Sequence, residues 1–103
     1  MEWHLYVLDC DGRYYTGITT DPRRRFEEHR SGNSRAAKFT RAARVQALVY
    51  AVGIGDRGLA LRAEARLKKL SRKRKEQIVR DAPERGRLLS LLELETEGVE
   101  VSA

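Results

Sequence analysis

Trp3-His4-Leu5-Tyr6-Val7-Leu8, then Asp11-Gly12, then Arg13-Tyr14-Tyr15-Thr16-Gly17-Ile18-Thr19 carry the strongest structural signal in this chain. Both flanks are rich in aromatic and branched residues, and Asp-Gly suits a two-residue turn in which both residues take positive φ. The stretch predicts a β-hairpin in which Cys10 pairs with Arg13, Leu8 with Tyr15 and Tyr6 with Gly17. In that register Tyr6 and Tyr15 share one face as diagonal neighbours, roughly 7 to 8 Å apart at the backbone. A different loop length would flip the register.

Downstream, Asp21 is placed to cap a helix over Arg23 to Arg30 with Pro22 in its first turn. Gly32-Asn33-Ser34 ends that helix, and a polar, basic loop through Lys38-Phe39-Thr40-Arg41 leads to a third strand expected at Ala47 to Val52. Gly53 to Gly58 is read as a second loop. Ala60, Ala63, Leu67 and Leu70 recur at helical spacing and predict a second helix over Leu59 to Leu70, its stripe packed on the sheet. Ser71 is placed to cap a third, Arg72 to about Arg80, closing before Asp81-Ala82-Pro83. The expected fold class is α+β: a small three-stranded antiparallel sheet flanked by helices in the order ββαβαα. Residues 1–82 form the expected domain, and residues 83–103 an acidic, leucine-containing C-terminal appendage. In it Leu88, Leu91 and Leu92 suit a helix, while Leu92-Glu93-Leu94-Glu95 alternates like a strand.

A chain of 103 residues fits one domain with one modest core. No apolar run approaches the roughly 20 residues needed to span a bilayer, and Met1-Glu2-Trp3-His4 lacks the character of a signal peptide. A cytoplasmic protein with no membrane contact is expected. Cys10 stands alone, and with only His4 and His29 beside it a closed zinc site is hard to assemble. Lys and Arg outnumber Asp and Glu by 21 to 15, a net of +6. The last twenty residues hold two Arg against five Glu, which leaves +9 on the first 83. Such a surplus favours polyanions, DNA or RNA above all, although basic helices also serve solubility.

Five polar side chains converge if this layout holds: Tyr6 and Tyr15 on the hairpin, Arg25 and His29 on the first helix, and Glu64 on the second. Arg25 and His29 are four apart and point the same way, and Glu64 borders the apolar stripe between Ala60 and Leu67. A half-desolvated carboxylate there suits one Mg²⁺ or Mn²⁺ whose shell is completed by water and phosphate oxygens. Arg25 offers a planar fork for a non-bridging phosphate oxygen. His29 has a suitable ordinary pKa for a base, whereas a tyrosine near ~10 needs help from a metal or from cations. Each residue also has a plainer reading. Strands favour tyrosines, Arg23-Arg24-Arg25 is a charge run of the kind that faces solvent, and Glu64 with Lys68 makes a routine i,i+4 pair.

At these positions the sequence resembles the GIY-YIG nuclease superfamily, in particular its small single-domain members. The paired motifs correspond to His4-Leu5-Tyr6 and Tyr15-Thr16-Gly17, each keeping its tyrosine. The segment that follows is present as Gly17, Thr19, Asp21-Pro22, Arg25 and His29, and the metal-binding glutamate maps to Glu64 within Ala60-Leu61-Arg62-Ala63-Glu64. Leu67-Lys68-Lys69-Leu70-Ser71 is similar to the single-domain subfamily, and the resemblance covers residues 3 to about 80. It implies that Tyr6 or Tyr15 helps activate water, Arg25 engages phosphate, His29 assists proton transfer and Glu64 binds the metal. The chain departs from the pattern at His4-Leu5, where Gly and Ile stand in the family. The late Asn of larger members has Gln77 as its nearest equivalent, or Lys68 in another role, and Val45-Gln46 stands where small members often have a proline.

The resemblance implies a metal-dependent endonuclease acting on DNA, structure-selective and linked to repair or processing, with no organic cofactor. Lys38, Arg41, Lys68, Arg72, Lys73 and Arg74 are the candidate nucleic-acid contacts. Two other readings stand beside it: a non-catalytic nucleic-acid-binding module on the same scaffold, and a protein-interaction subunit whose tail docks a partner or pairs two copies.

Overall fold

The computed structural model describes residues 1–31 and 45–94. Its strands are β1 (Trp3–Cys10), β2 (Arg13–Thr19) and β3 (Val45–Gly55), and its helices are α1 (Pro22–Ser31), α2 (Arg57–Lys68), α3 (Arg72–Asp81) and α4 (Arg85–Leu91). The order among the described residues is ββαβααα, an α+β fold on one antiparallel sheet with strand order β2-β1-β3.

The hairpin has the register expected from Asp-Gly. Cys10 pairs with Arg13, Leu8 with Tyr15 and Tyr6 with Gly17, and Asp11 and Gly12 take φ of 57° and 85°. The Asp9 carboxylate accepts from the Gly12 N–H at 2.9 Å, which tightens the turn. β1 is central and buries Leu5, Tyr6, Val7, Leu8 and Cys10, because helices cover both faces of the sheet. Side chains alternate along the strand. Leu5 and Val7 enter the main core with Tyr50, Ile54, Ala60, Ala63, Leu67 and Ile78. Tyr6, Leu8 and Cys10 face the other way, with Tyr15, Phe26 and Leu48 packed on them.

The bounds of β3 and α2 differ from those expected. β3 runs through Gly53 to Gly55, where a loop was expected, because its ladder with β1 continues from Val52–Leu5 to Gly53–His4 and Gly55–Trp3. Asp56 then caps α2 by accepting from the Leu59 N–H at 3.0 Å, so the helix begins two residues early and ends at Lys68. Asp21 caps α1 through Arg24 N–H at 3.1 Å, and Ser71 caps α3 through Arg74 N–H at 3.2 Å, both as anticipated.

The C-terminal segment is helical over Arg85–Leu91, and no strand forms at Leu92 to Leu94. Ala82 takes a left-handed φ of 47° that closes α3, Pro83 follows, and the Glu84 carboxylate caps α4 through Gly86 N–H at 3.0 Å. Leu88, Leu89 and Leu92 are buried in the main core, each stabilising the fold by roughly 1.5–3 kcal/mol. Among the described residues this segment is held down by hydrogen bonds from Tyr50 Oη to the Pro83 carbonyl at 2.6 Å, from Arg85 Nε to the Ile54 carbonyl at 2.7 Å, and from Arg66 Nη1 to the Leu92 carbonyl at 2.7 Å and the Glu93 carbonyl at 3.3 Å. No helix among the described residues is long and apolar enough to cross a membrane.

Candidate active site

Tyr6 and Tyr15 reach the same face of the hairpin, with ring centroids 6.4 Å apart. Gly17 stands opposite Tyr6 in the ladder, and its missing side chain lets the Tyr6 ring lie across it: a Cβ there would stand 2.5 Å from the hydroxyl. α1 covers this face. Thr19 Oγ1 accepts from the Asp21 N–H at 3.2 Å and sets the turn into the helix, while Phe26 packs on the Tyr6 cluster. Arg25 and His29 thereby face the tyrosines. His29 Nε2 lies 3.1 Å from the Tyr6 hydroxyl, and the imidazole is 5.0 Å from the Tyr15 ring, centroid to centroid.

Tyr6 is 1% exposed and His29 2%. Burial pushes the Tyr6 phenol up to about 12; Arg25, hydrogen-bonding to it, opposes that rise, and the charges of Tyr15 and Glu64 add to it. Burial, assisted by the Arg25 charge, lowers the His29 pKa. Tyr6 therefore keeps its proton and His29 is neutral at neutral pH. With the imidazole proton on Nδ1, the Tyr6 O–H donates to Nε2. Arg25 also donates to the Glu28 carboxylate from Nη1 at 2.8 Å, and its guanidinium pKa is raised by Glu28 and Tyr6 against the cost of burial.

Glu64 borders the buried stripe of α2, its side chain one-fifth exposed, and pairs with Lys68 at 3.3 Å. Its charge reaches Tyr6, as the shift of that phenol records. No group of three His, Cys, Asp or Glu side chains among the described residues is placed to cage a metal. A single hard carboxylate fits Mg²⁺ or Mn²⁺, ions that keep much of their shell in water and phosphate oxygens. Lys68, Arg72, Lys73 and Arg74 lie exposed on α2 and α3. Lys38 and Arg41 lie outside the described residues.

Three residues around the site were given no role there from the sequence. Glu28 orients Arg25, and its spacing of three on one helix was the available signal. Gly17 makes room for Tyr6, which its pairing with a tyrosine foreshadowed. His4 lies on the Tyr6 face with Nδ1 buried and without a hydrogen-bond partner, its Nε2 3.8 Å from Glu2; no local pattern announces such an atom.

The chain matches the GIY-YIG catalytic domain over residues 2–77. It belongs to the GIY-YIG nuclease superfamily. It is 44% identical over 92 residues to the UPF0213 protein YhbQ of Escherichia coli, a match covering 88% of this chain and 90% of that one. YhbQ from another strain is 42% identical over the same span. A solution NMR structure of a UPF0213 protein from Bacillus halodurans is 32% identical, with a TM-score of 0.49 over 92% of this chain and all of that one. Small single-domain GIY-YIG proteins are thus this chain's relatives.

Proposed function

We propose that this GIY-YIG protein is a divalent-metal-dependent endonuclease that hydrolyses DNA phosphodiester bonds, selects its substrate by structure and serves repair or processing. The observation that carries this reading is the Tyr6–His29 contact of 3.1 Å, with Arg25 beside it and Glu64 close enough to act on the same phenol.

Arg25 turns its guanidinium from Glu28 to a non-bridging phosphate oxygen, a fork matched to that geometry. The partly exposed Tyr15 meets the substrate, and the buried Tyr6 works behind it. The Tyr6 oxygen accepts a proton from the attacking water as its own proton passes to His29 Nε2, which is unprotonated in the neutral imidazole. Glu64 would hold the one metal ion, which would neutralise phosphate charge, lower the pKa of groups beside it and stabilise the leaving oxygen. Lys38, Arg41, Lys68, Arg72, Lys73 and Arg74 supply sequence-independent backbone contacts.

The test is incubation with labelled branched, flapped, duplex and single-stranded DNA and with RNA, in Mg²⁺, in Mn²⁺ and in chelator. Cleavage of DNA that chelator abolishes is the expected result. Binding with no cleavage in either metal would leave the chain a nucleic-acid-binding module. The tail-docking reading keeps Leu91, which is exposed, but not Leu88, Leu89 and Leu92, which are buried in this chain's own core.

A further inference from the structure

Arg13 and Tyr14 at the start of β2 and Arg72 and Lys75 in the first turn of α3 line a recess of about 110 Å³. Arg72 and Lys75 are three apart and share a helix face. The Arg72 guanidinium stacks over the Tyr14 ring, 5.2 Å from its centroid, and its Nε donates to the Glu76 carboxylate at 2.9 Å. Stack and ion pair together fix the plane of the guanidinium, so little rotamer freedom remains to be lost when a ligand binds. The recess wall holds three cationic side chains and no carboxylate. The acidic groups near it in the fold include Asp9, which pairs with Tyr14 across the ladder and accepts from the Gly12 N–H, Glu76, engaged with Arg72, and Asp11, two residues before Arg13 and itself in an interaction.

We propose that this recess is a second nucleic-acid contact that takes a backbone phosphate. Three cations drawn to one small hollow repel one another, and an anion with several acceptor oxygens relieves that repulsion. Tyr14 follows the opposite face of the sheet from Tyr15: it packs with the Leu5 and Val7 core, whereas Tyr15 packs with Tyr6. β2 is an edge strand. A nucleic acid touching both the tyrosine site and the recess therefore bends around that edge, or arrives as two diverging segments. The inference rests on the nucleic-acid reading above and adds Arg13 and Lys75 to the contacts that reading names.

The experiment measures binding of a labelled flapped DNA in chelator, across a salt series, for the parent, for Arg13→Ala/Lys75→Ala and for the charge-preserving Arg13→Lys/Lys75→Arg. In the alanine pair the slope of log affinity against log salt falls in magnitude by about 1 to 2, and the charge-preserving pair keeps the parent's slope. An unchanged slope in the alanine pair overturns the recess while leaving the parent's binding and cutting as they are. A fallen slope in the alanine pair, together with a parent that cuts nothing, supports the recess and removes only the catalytic reading. A parent that binds no nucleic acid overturns both.

Discussion

Gly17 faces Tyr6 across the β1–β2 ladder so closely that a Cβ on it would stand 2.5 Å from the Tyr6 oxygen and 2.7 Å from the ring carbon bearing it. The Tyr6 ring is buried and its hydroxyl is held by His29, so it has no easy direction in which to move. Gly17→Ala is therefore expected to destabilise by about 1–3 kcal/mol through overpacking, despite the better strand propensity of alanine. Thermal unfolding measures that loss. A variant as stable as the parent would show that the ring yields freely, contrary to the packing described here.

The two tyrosines differ in burial, so removing their hydroxyls separates them. Tyr6→Phe leaves the buried His29 Nε2 without its phenol and is expected to cost about 1–3 kcal/mol of stability, along with roughly 10² or more in cleavage rate. Tyr15→Phe is expected to lose cleavage rate, because the partly exposed Tyr15 hydroxyl meets the substrate in the proposed mechanism. Single-turnover cleavage and unfolding of both variants provide the check. If both cut as fast as the parent, the hydroxyls have no part in the chemistry.

His29 is held neutral by burial and by Arg25, with its pKa below the ordinary 6.5. On acidification the unfolded chain takes up this proton before the folded one does. The associated stability is full above about 6.5 and is lost as pH falls through the lower, folded value. His29→Gln is expected to flatten the parent's loss of stability in that window, while carboxylate effects common to both proteins cancel in the difference. Denaturant unfolding of parent and variant from neutral to mildly acid pH measures it. An identical pH dependence would place the imidazole in solvent.

The hairpin was legible because Asp-Gly is a local signal whose geometry sets the register, and with it the shared face of Tyr6 and Tyr15. The i,i+4 spacing made Arg25 and His29 legible in the same way. What could not be read was environment. His29 looked like a base at its ordinary pKa and Tyr6 like a phenol near ~10, yet burial moves the first down and the second to about 12. Desolvation depends on α1 closing over the sheet, a contact between segments far apart in sequence. The same holds for the tail, where leucine spacing fitted a helix or a strand, and the core surface that receives Leu88 and Leu89 resolved it as α4. Gly53 to Gly55 misled because glycines usually signal a loop, whereas here the β1 ladder holds them.

Glu64→Gln bears most directly on the proposed chemistry, because it keeps size and helix propensity while removing the charge that would hold the metal. The pair with Lys68 spans 3.3 Å, and Lys68 is more than half exposed, so losing it costs only about 0.3–0.5 kcal/mol and the fold should be intact. Loss of the metal removes several kcal/mol of transition-state stabilisation, so cleavage is expected to vanish at metal concentrations that saturate the parent. Binding should persist in chelator and even tighten, since a carboxylate facing a phosphate repels it until a cation bridges the two. The released Lys68 adds to that attraction, being no longer neutralised by its neighbour. The measurement is cleavage against metal concentration for both proteins, with affinity measured in parallel in chelator. A variant that keeps the parent's rate and metal dependence would mean that Glu64 is not the ligand. The ion would then have to be held elsewhere, since the retained metal dependence keeps it in the reaction.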